Sequence, residues 1–223
     1  MTVDLFWHYA PSLLSGFGVT VLCWGVGGAL GLILGFAIAL LRRLRIGPLN
    51  WLLRAFIELF RGTPFLVQLF LLYAGGPSIG LRLSATAAGI LGLALYASAY
   101  FAEIFRGGFA AVPSGQIEAA ISVGMRPFDI MMRVMLPGAL IAVVPAIVNM
   151  LIILSKETVV LSIITVPELM YQVQTMAAET FTAFDAIFAM AVFYWLLVEV
   201  VSRLGAKVES RVTAFLAHDG AAA

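Results

Sequence analysis

The sequence predicts an all-α, polytopic membrane protein with five transmembrane helices and a polar insert that folds as helix, glycine, helix. Three observations lead there. Of the 223 residues, 62% are hydrophobic and 11% charged, against roughly 45–50% and about 25% in soluble domains. Four apolar stretches reach the roughly 18 residues that mark a spanning candidate: Leu13 to Leu41, Ser84 to Phe105, Pro137 to Leu154 and Thr182 to Leu204. The positive charges fall on one side once a fifth span is counted.

Each element has its own reasons. The first stretch carries Gly27, Gly31 and Gly35, joined by Gly28, a small-residue ridge that lets another helix approach closely. Cys23, the single cysteine, sits in the same span and reads as a small packing residue. Trp7, His8 and Tyr9 read as an outer interfacial anchor and Trp51 as its inner counterpart. No basic region precedes the first apolar run, which far exceeds the roughly 7–15 residues of a cleaved signal. It reads as a span.

The second stretch, Trp51 to Ala74, is interrupted by Arg54, Glu58 and Arg61. Pro64 to Ala74 alone is too short to cross, so the charged half must lie within or beside the bilayer. The three charges fall at i, i+4 and i+7 and share one helix face. Gly62 and Pro64 then invite a break, as in the discontinuous helices that line transporter sites. The third span holds Ser98 and Tyr100 with no His beside them, too little for an intramembrane hydrolase.

The insert follows. Glu118 to Val123 can form a short helix, Gly124 can take the positive φ that ends it, and Pro127 can open a second helix. The fourth span ends on Asn149, Ser155, Lys156, Glu157 and Thr158, with Pro145 able to kink its middle. Val159 to Val166 is only eight residues and reads as a re-entrant or outer-leaflet segment rather than a sixth span. With five spans, Arg42, Arg43, Arg45, Arg106, Arg126, Arg133, Arg203, Lys207 and Arg211 share one side, and only Arg82 falls clearly on the other. The N-terminus is then outside, and the insert and C-terminus are cytoplasmic.

Charges inside apolar sequence are costly and usually functional. Each polar group holds both signs, which suits a zwitterion. The alternative is internal pairing of Glu58 with Arg61 and Lys156 with Glu157, although adjacent residues do not face each other on a helix. The net charge of +1 argues against nucleic acid, and His8 and His218, each alone, support no metal site. A phosphate-binding loop needs Gly, four residues, Gly, Lys and Ser or Thr. The nearest approach, Gly75 to Gly80, continues with Leu81 and Arg82, so ATP energy would have to come from a partner.

The insert reads EAAISVGMRPFDIMMRVMLP from Glu118. It resembles the signature loop of permease subunits in ABC importers, with Val134 where Ile is usual. FRGTPFLVQLF from Phe60, AYFAEIFRGGFAAVPSGQIEAAISVG from Ala99 and SKETVVLSIITVPEL from Ser155 resemble the polar amino-acid subfamily. Several of its members have Asp where this chain has Glu157. The resemblance implies a single permease domain over 1–223 that carries a polar or charged amino acid by alternating access. It would pair with a second permease, identical or homologous, and with a cytoplasmic ATPase dimer that holds the ATP and Mg. An extracytoplasmic binding protein would deliver the substrate. Glu58, Arg61, Thr63, Asn149, Ser155, Lys156, Glu157 and Thr158 become candidate substrate residues. Glu118, Ala119, Ala120, Gly124, Arg126 and Asp129, within a loop of about 106–137, become candidate ATPase-docking residues. Another small zwitterion such as an opine is the rival substrate, and a channel without an ATPase the rival class.

Overall fold

The computed structural model describes residues 3–44 and 46–220; Arg45, one of the nine clustered cations, and the side chain of His218 lie outside the described residues. Every regular element among the described residues is helical. In chain order these are α1 (Val3–Arg43), α2 (Gly47–Gly62), α3 (Phe65–Phe70), α4 (Ala85–Ala111), α5 (Ser114–Ser122), α6 (Pro127–Ile130), α7 (Leu136–Glu157), α8 (Leu169–Thr180) and α9 (Ala183–Gly220). Four helical stretches among the described residues are long and apolar enough to cross a membrane, and α2 with the segment 65–79, bent by 111° at the break, makes a fifth when the bent pair is counted as one span.

Two π turns, Leu71–Gly75 and Met131–Met135, each lie one residue short of a proline, Pro77 and Pro137. Proline has no N–H and its ring presses on the carbonyl four residues back, so a wider turn accommodates it. This corrects the expected start of the fourth span at Pro137. The insert's second helix does not stop there but runs on, and residues from Pro127 to Ile164 form one helical stretch.

The glycine ridge of α1 packs on α4. A Cβ on Gly35 would stand 2.6 Å from Phe101 Cβ and 2.8 Å from the Ser98 carbonyl oxygen, and Gly31 meets Ala97 in the same way. Gly27, Gly31 and Gly35 face Leu93, Ala97 and Phe101 in rising order, so α1 and α4 run parallel. Gly108 and Gly89 of α4 face Val143 and Leu161, so the α7 stretch runs the other way. Thr158 and Val148 face Tyr194 and Gly205 of α9, which reverses again. Along α4, Arg61 lies at Tyr100 and Phe65 at Tyr96, so the second segment is also antiparallel to it. Five segments of alternating direction result. Cys23 is fully buried among them.

Residues Thr158–Ile164 form a 3-10 turn whose Leu161 and Ile164 are buried, and Thr165 ends it at φ +62°. The turn leads into α8, which at 12 residues is too short to cross. Glu168 caps α8: its carboxylate accepts the backbone N–H groups of Met170 and Tyr171, both at 2.9 Å, satisfying donors that a helix start leaves free. Thr20 of α1 accepts the Leu169 N–H at 3.0 Å and lies 3.4 Å from the Glu168 carboxylate. Gly16, one turn earlier, leaves room for Gln172 and the Glu168 carbonyl. Thus α8 docks on α1. Burial pushes the Glu168 carboxyl up to about 7, against its backbone donors and Thr20.

Candidate functional site

The chain breaks at Thr63 and Pro64, both extended, between α2 and α3. The break frees carbonyls that a membrane cannot hydrate. Gln68 satisfies them. Its Nε2 donates to Phe60 O at 2.8 Å, Thr63 O at 3.0 Å and Thr63 Oγ1 at 2.9 Å, while the Thr63 hydroxyl donates to Leu59 O at 2.8 Å. Three acceptors around the nitrogen fix which way the amide faces. Gln68 Oε1 is left buried without a protein partner. Sequence reading missed Gln68, although an amide four residues beyond a span-breaking proline was a usable signal.

The charges on α2 share a face, as their spacing requires, but their pairing differs from the expected alternative. Glu58 binds Arg54 at 2.7 Å rather than Arg61. The Arg61 guanidinium lies 5.4 Å from the centre of the Tyr100 ring, within cation–π range. Tyr100 packs on Tyr96 at 4.9 Å between ring centres, and Tyr96 on Phe65 at 5.3 Å. Glu157, the last residue of α7, is half-buried. The aromatic pair on α4 therefore has a cation beside one of its rings.

A cleft of about 270 Å³ adjoins Arg61, lined by Arg42, Arg54, Ile57, Glu58, Arg61, Glu103 and Arg106. Glu103 binds Arg42 at 2.6 Å and Arg106 at 2.7 Å, tying α1 to α4. Glu103 was passed over in the sequence, though an acid inside a span with an arginine three residues on was a legible pair.

The second polar group is not brought together as expected. Ser155 is buried and donates to Ile152 O in its own helix. Thr158 is buried, donates to Ser155 O at 2.7 Å and shares a 2.9 Å hydrogen bond with the Tyr194 hydroxyl. Both hydroxyls serve the core, because a helix interior offers its own carbonyls to Ser and Thr. Asn149 and Lys156 are exposed, and no ion pair joins Lys156 to Glu157 among the described residues.

The insert takes the helix–glycine–helix form. Gly124 has φ +80°, its N–H donates to Ile121 O at 2.9 Å, and the Met125 N–H donates to Ala120 O at 3.1 Å. These two bonds close the end of α5 on its last carbonyls. Pro127 opens α6, with Arg126 as its cap residue. Glu118, Ala119, Gly124 and Arg126 are exposed, Val123 and Phe128 project prominently, and Asp129 lies 3.7 Å from Arg133. Ala120 is the exception in the expected docking set, since it is buried against the body of the protein.

Helices of alternating direction, one of them broken at Thr63 and Pro64 beside Arg61 and Gln68, and a displayed helix pair make this a multi-pass membrane protein. The chain belongs to the binding-protein-dependent transport system inner membrane component family, whose model matches residues 28–214. It is 34% identical over 197 residues to the probable glutamine ABC transporter permease protein GlnM of Bacillus subtilis, covering 88% of this chain and 91% of that one. It is 32% identical over 204 residues to the arginine transport system permease protein ArtQ of the same organism, covering 91% and 93%. A crystal structure of an amino acid ABC transporter with histidines superposes with a TM-score of 0.87 at 35% identity, covering 95% of this chain and all of that one. The chain is a transport component and a multi-pass protein of the inner membrane.

Proposed function

We propose that this permease imports a polar or charged amino acid by alternating access, driven by ATP hydrolysed, with Mg, on a cytoplasmic ATPase dimer. A second permease copy or homologue completes the pathway, and an extracytoplasmic binding protein loads it. The names of the relatives, which specify glutamine and arginine transport, support the substrate class. The observation that carries the site is Arg61 set against the Tyr100–Tyr96 aromatic pair rather than in an ion pair. A zwitterion needs a cation for its carboxylate and an acid for its ammonium. Arg61 is assigned the carboxylate, for which its fixed fork is suited. Glu157 is assigned the ammonium, with Glu58, Thr63, Asn149 and Lys156 at the margins. Ser155 and Thr158 leave the set, since their hydroxyls are committed to the core.

The exposed end of α5 and the Gly124 turn are assigned to the ATPase, with Glu118, Ala119, Arg126 and Asp129 around them. Closure of the ATPases would draw the two docking helices together and rock the rigid spans about the site. The test is uptake of radiolabelled amino acids by proteoliposomes containing the permease, its ATPase and its binding protein. Saturable, ATP-dependent accumulation of glutamine, arginine or another polar amino acid is expected. Downhill flux without ATP would instead identify a channel.

A further inference from the structure

The ends of α1 and α4 and the starts of α2 and α5 line a second cavity, of about 530 Å³, which shares Arg42 and Arg106 with the cleft beside Arg61 but not Arg61 itself. Its lining includes Arg42, Arg43 and Arg106 and no carboxylate. Glu103, outside the lining, is shared by Arg42 and Arg106, so one negative charge faces three positive ones. Arg43 has no carboxylate at ion-pair distance among the described residues; it lies 5.2 Å from the Phe109 ring centre and 3.3 Å from Met135 Sδ. Helix C-termini favour cations, which accounts for some arginine here but not for gathering three around one hollow. Asn50 also lines the cavity, and its Oδ1 is buried with no protein partner. In the stretch from the end of α1 into α2 that also supplies Arg43 and Asn50, Leu44, Ile46 and Trp51 are largely exposed, an apolar rim to this end of the bundle flanked by charge, as at a membrane interface.

We propose that this cavity binds a phosphate-bearing anion, supplied by the headgroup of an anionic phospholipid of the cytoplasmic leaflet. The arginines take the phosphodiester oxygens, the Asn50 amide takes a headgroup hydroxyl, and the acyl chains lie along Leu44, Ile46 and Trp51. Basic hollows between spans on the cytoplasmic side have the charge and position for such headgroups. A soluble phosphate would satisfy the arginines but gain nothing from the apolar rim. The inference rests on the topology that places this end of the bundle inside.

The experiment uses the permease–ATPase complex in nanodiscs of phosphatidylcholine carrying phosphatidylglycerol, with bound phosphatidylglycerol counted by native mass spectrometry. Arg43→Gln, which leaves the Glu103 ion pairs untouched, should weaken retention about fivefold, and adding Arg106→Gln should weaken it about as much again. Arg43→Lys should restore most of the loss of the single variant. Thermal unfolding of each variant separates lost binding from lost folding. Arginine-dependent binding of inorganic phosphate as tight as that of phosphatidylglycerol would keep the anion site and move its source to the cytosol. Unchanged retention of both in the folded double variant overturns the proposal. Nanodisc leaflets are identical, so an inverted topology would appear in reporter fusions and leave the lipid count unaltered.

Discussion

Arg61 is held by an aromatic ring and not by a carboxylate, and this changes what its removal should do. Had it neutralised Glu58, Arg61→Ala would strand a buried charge and threaten the span. Glu58 instead pairs with Arg54, both more than half exposed, an arrangement worth at most about 1 kcal/mol. Arg61→Ala should therefore assemble normally, while uptake falls roughly thirtyfold or more, the range for losing one partner of a desolvated charge pair. Copurification and initial uptake rates check this; failure to assemble would make the arginine structural. Glu168 gives a pH-dependent counterpart. Its folded carboxyl, raised to about 7 from an ordinary 4.5, binds more protons than the unfolded one between those values. Stability from this group is thus fully present below about 4.5 and lost as pH rises to 7. Glu168→Gln should flatten that slope in detergent melts. The sequence announced Arg61 because a lone charge in apolar sequence stands out. It did not announce Gln68 or Glu168, whose importance depends on which backbone groups they reach.

At the scale of elements, spacing rules were reliable where they concerned one helix and weaker where two had to meet. The Gly27, Gly31 and Gly35 ridge was legible as a packing face, but only the fold shows that Leu93, Ala97 and Phe101 occupy it. Gly35→Leu should abolish stable expression, because the new side chain would enter backbone at Ser98, and overpacking typically costs about 1–3 kcal/mol or more. The Gly124 turn was legible because a helix stop and a proline start stood three residues apart. The continuous helix past Pro137 was not, since a π turn leaves no simple sequence mark. Gly124 has open space around its missing Cβ, so strain at φ +80° alone distinguishes substitutions there. Gly124→Val should reach the membrane yet lose ATPase copurification, and Gly124→Asn should retain most of it, because Asn tolerates positive φ. Equal behaviour of the two would remove the turn from the docking argument.

For the whole molecule, the order of contacts along α4 imposes five segments of alternating direction, which puts the two ends of the bundle on opposite sides of the membrane. Contacts alone do not say which side is which. We infer the side from charge: arginines cluster where α1 and α4 end and where α5 to α7 begin, and cytoplasmic loops hold the basic excess. Val159 to Val166 was the one segment able to reverse this, by adding a crossing. It is instead a 3-10 turn packed under α4, followed by an α8 too short to span. A reporter enzyme active only in the cytoplasm, fused after Ala223, should therefore be active, and the same reporter inserted at Gly80 should be silent. A periplasm-specific reporter should give the opposite pattern at both positions. An active periplasmic fusion at the C-terminus together with a silent one at Gly80 would invert the bundle, placing α5 and its glycine turn where no ATPase could reach them.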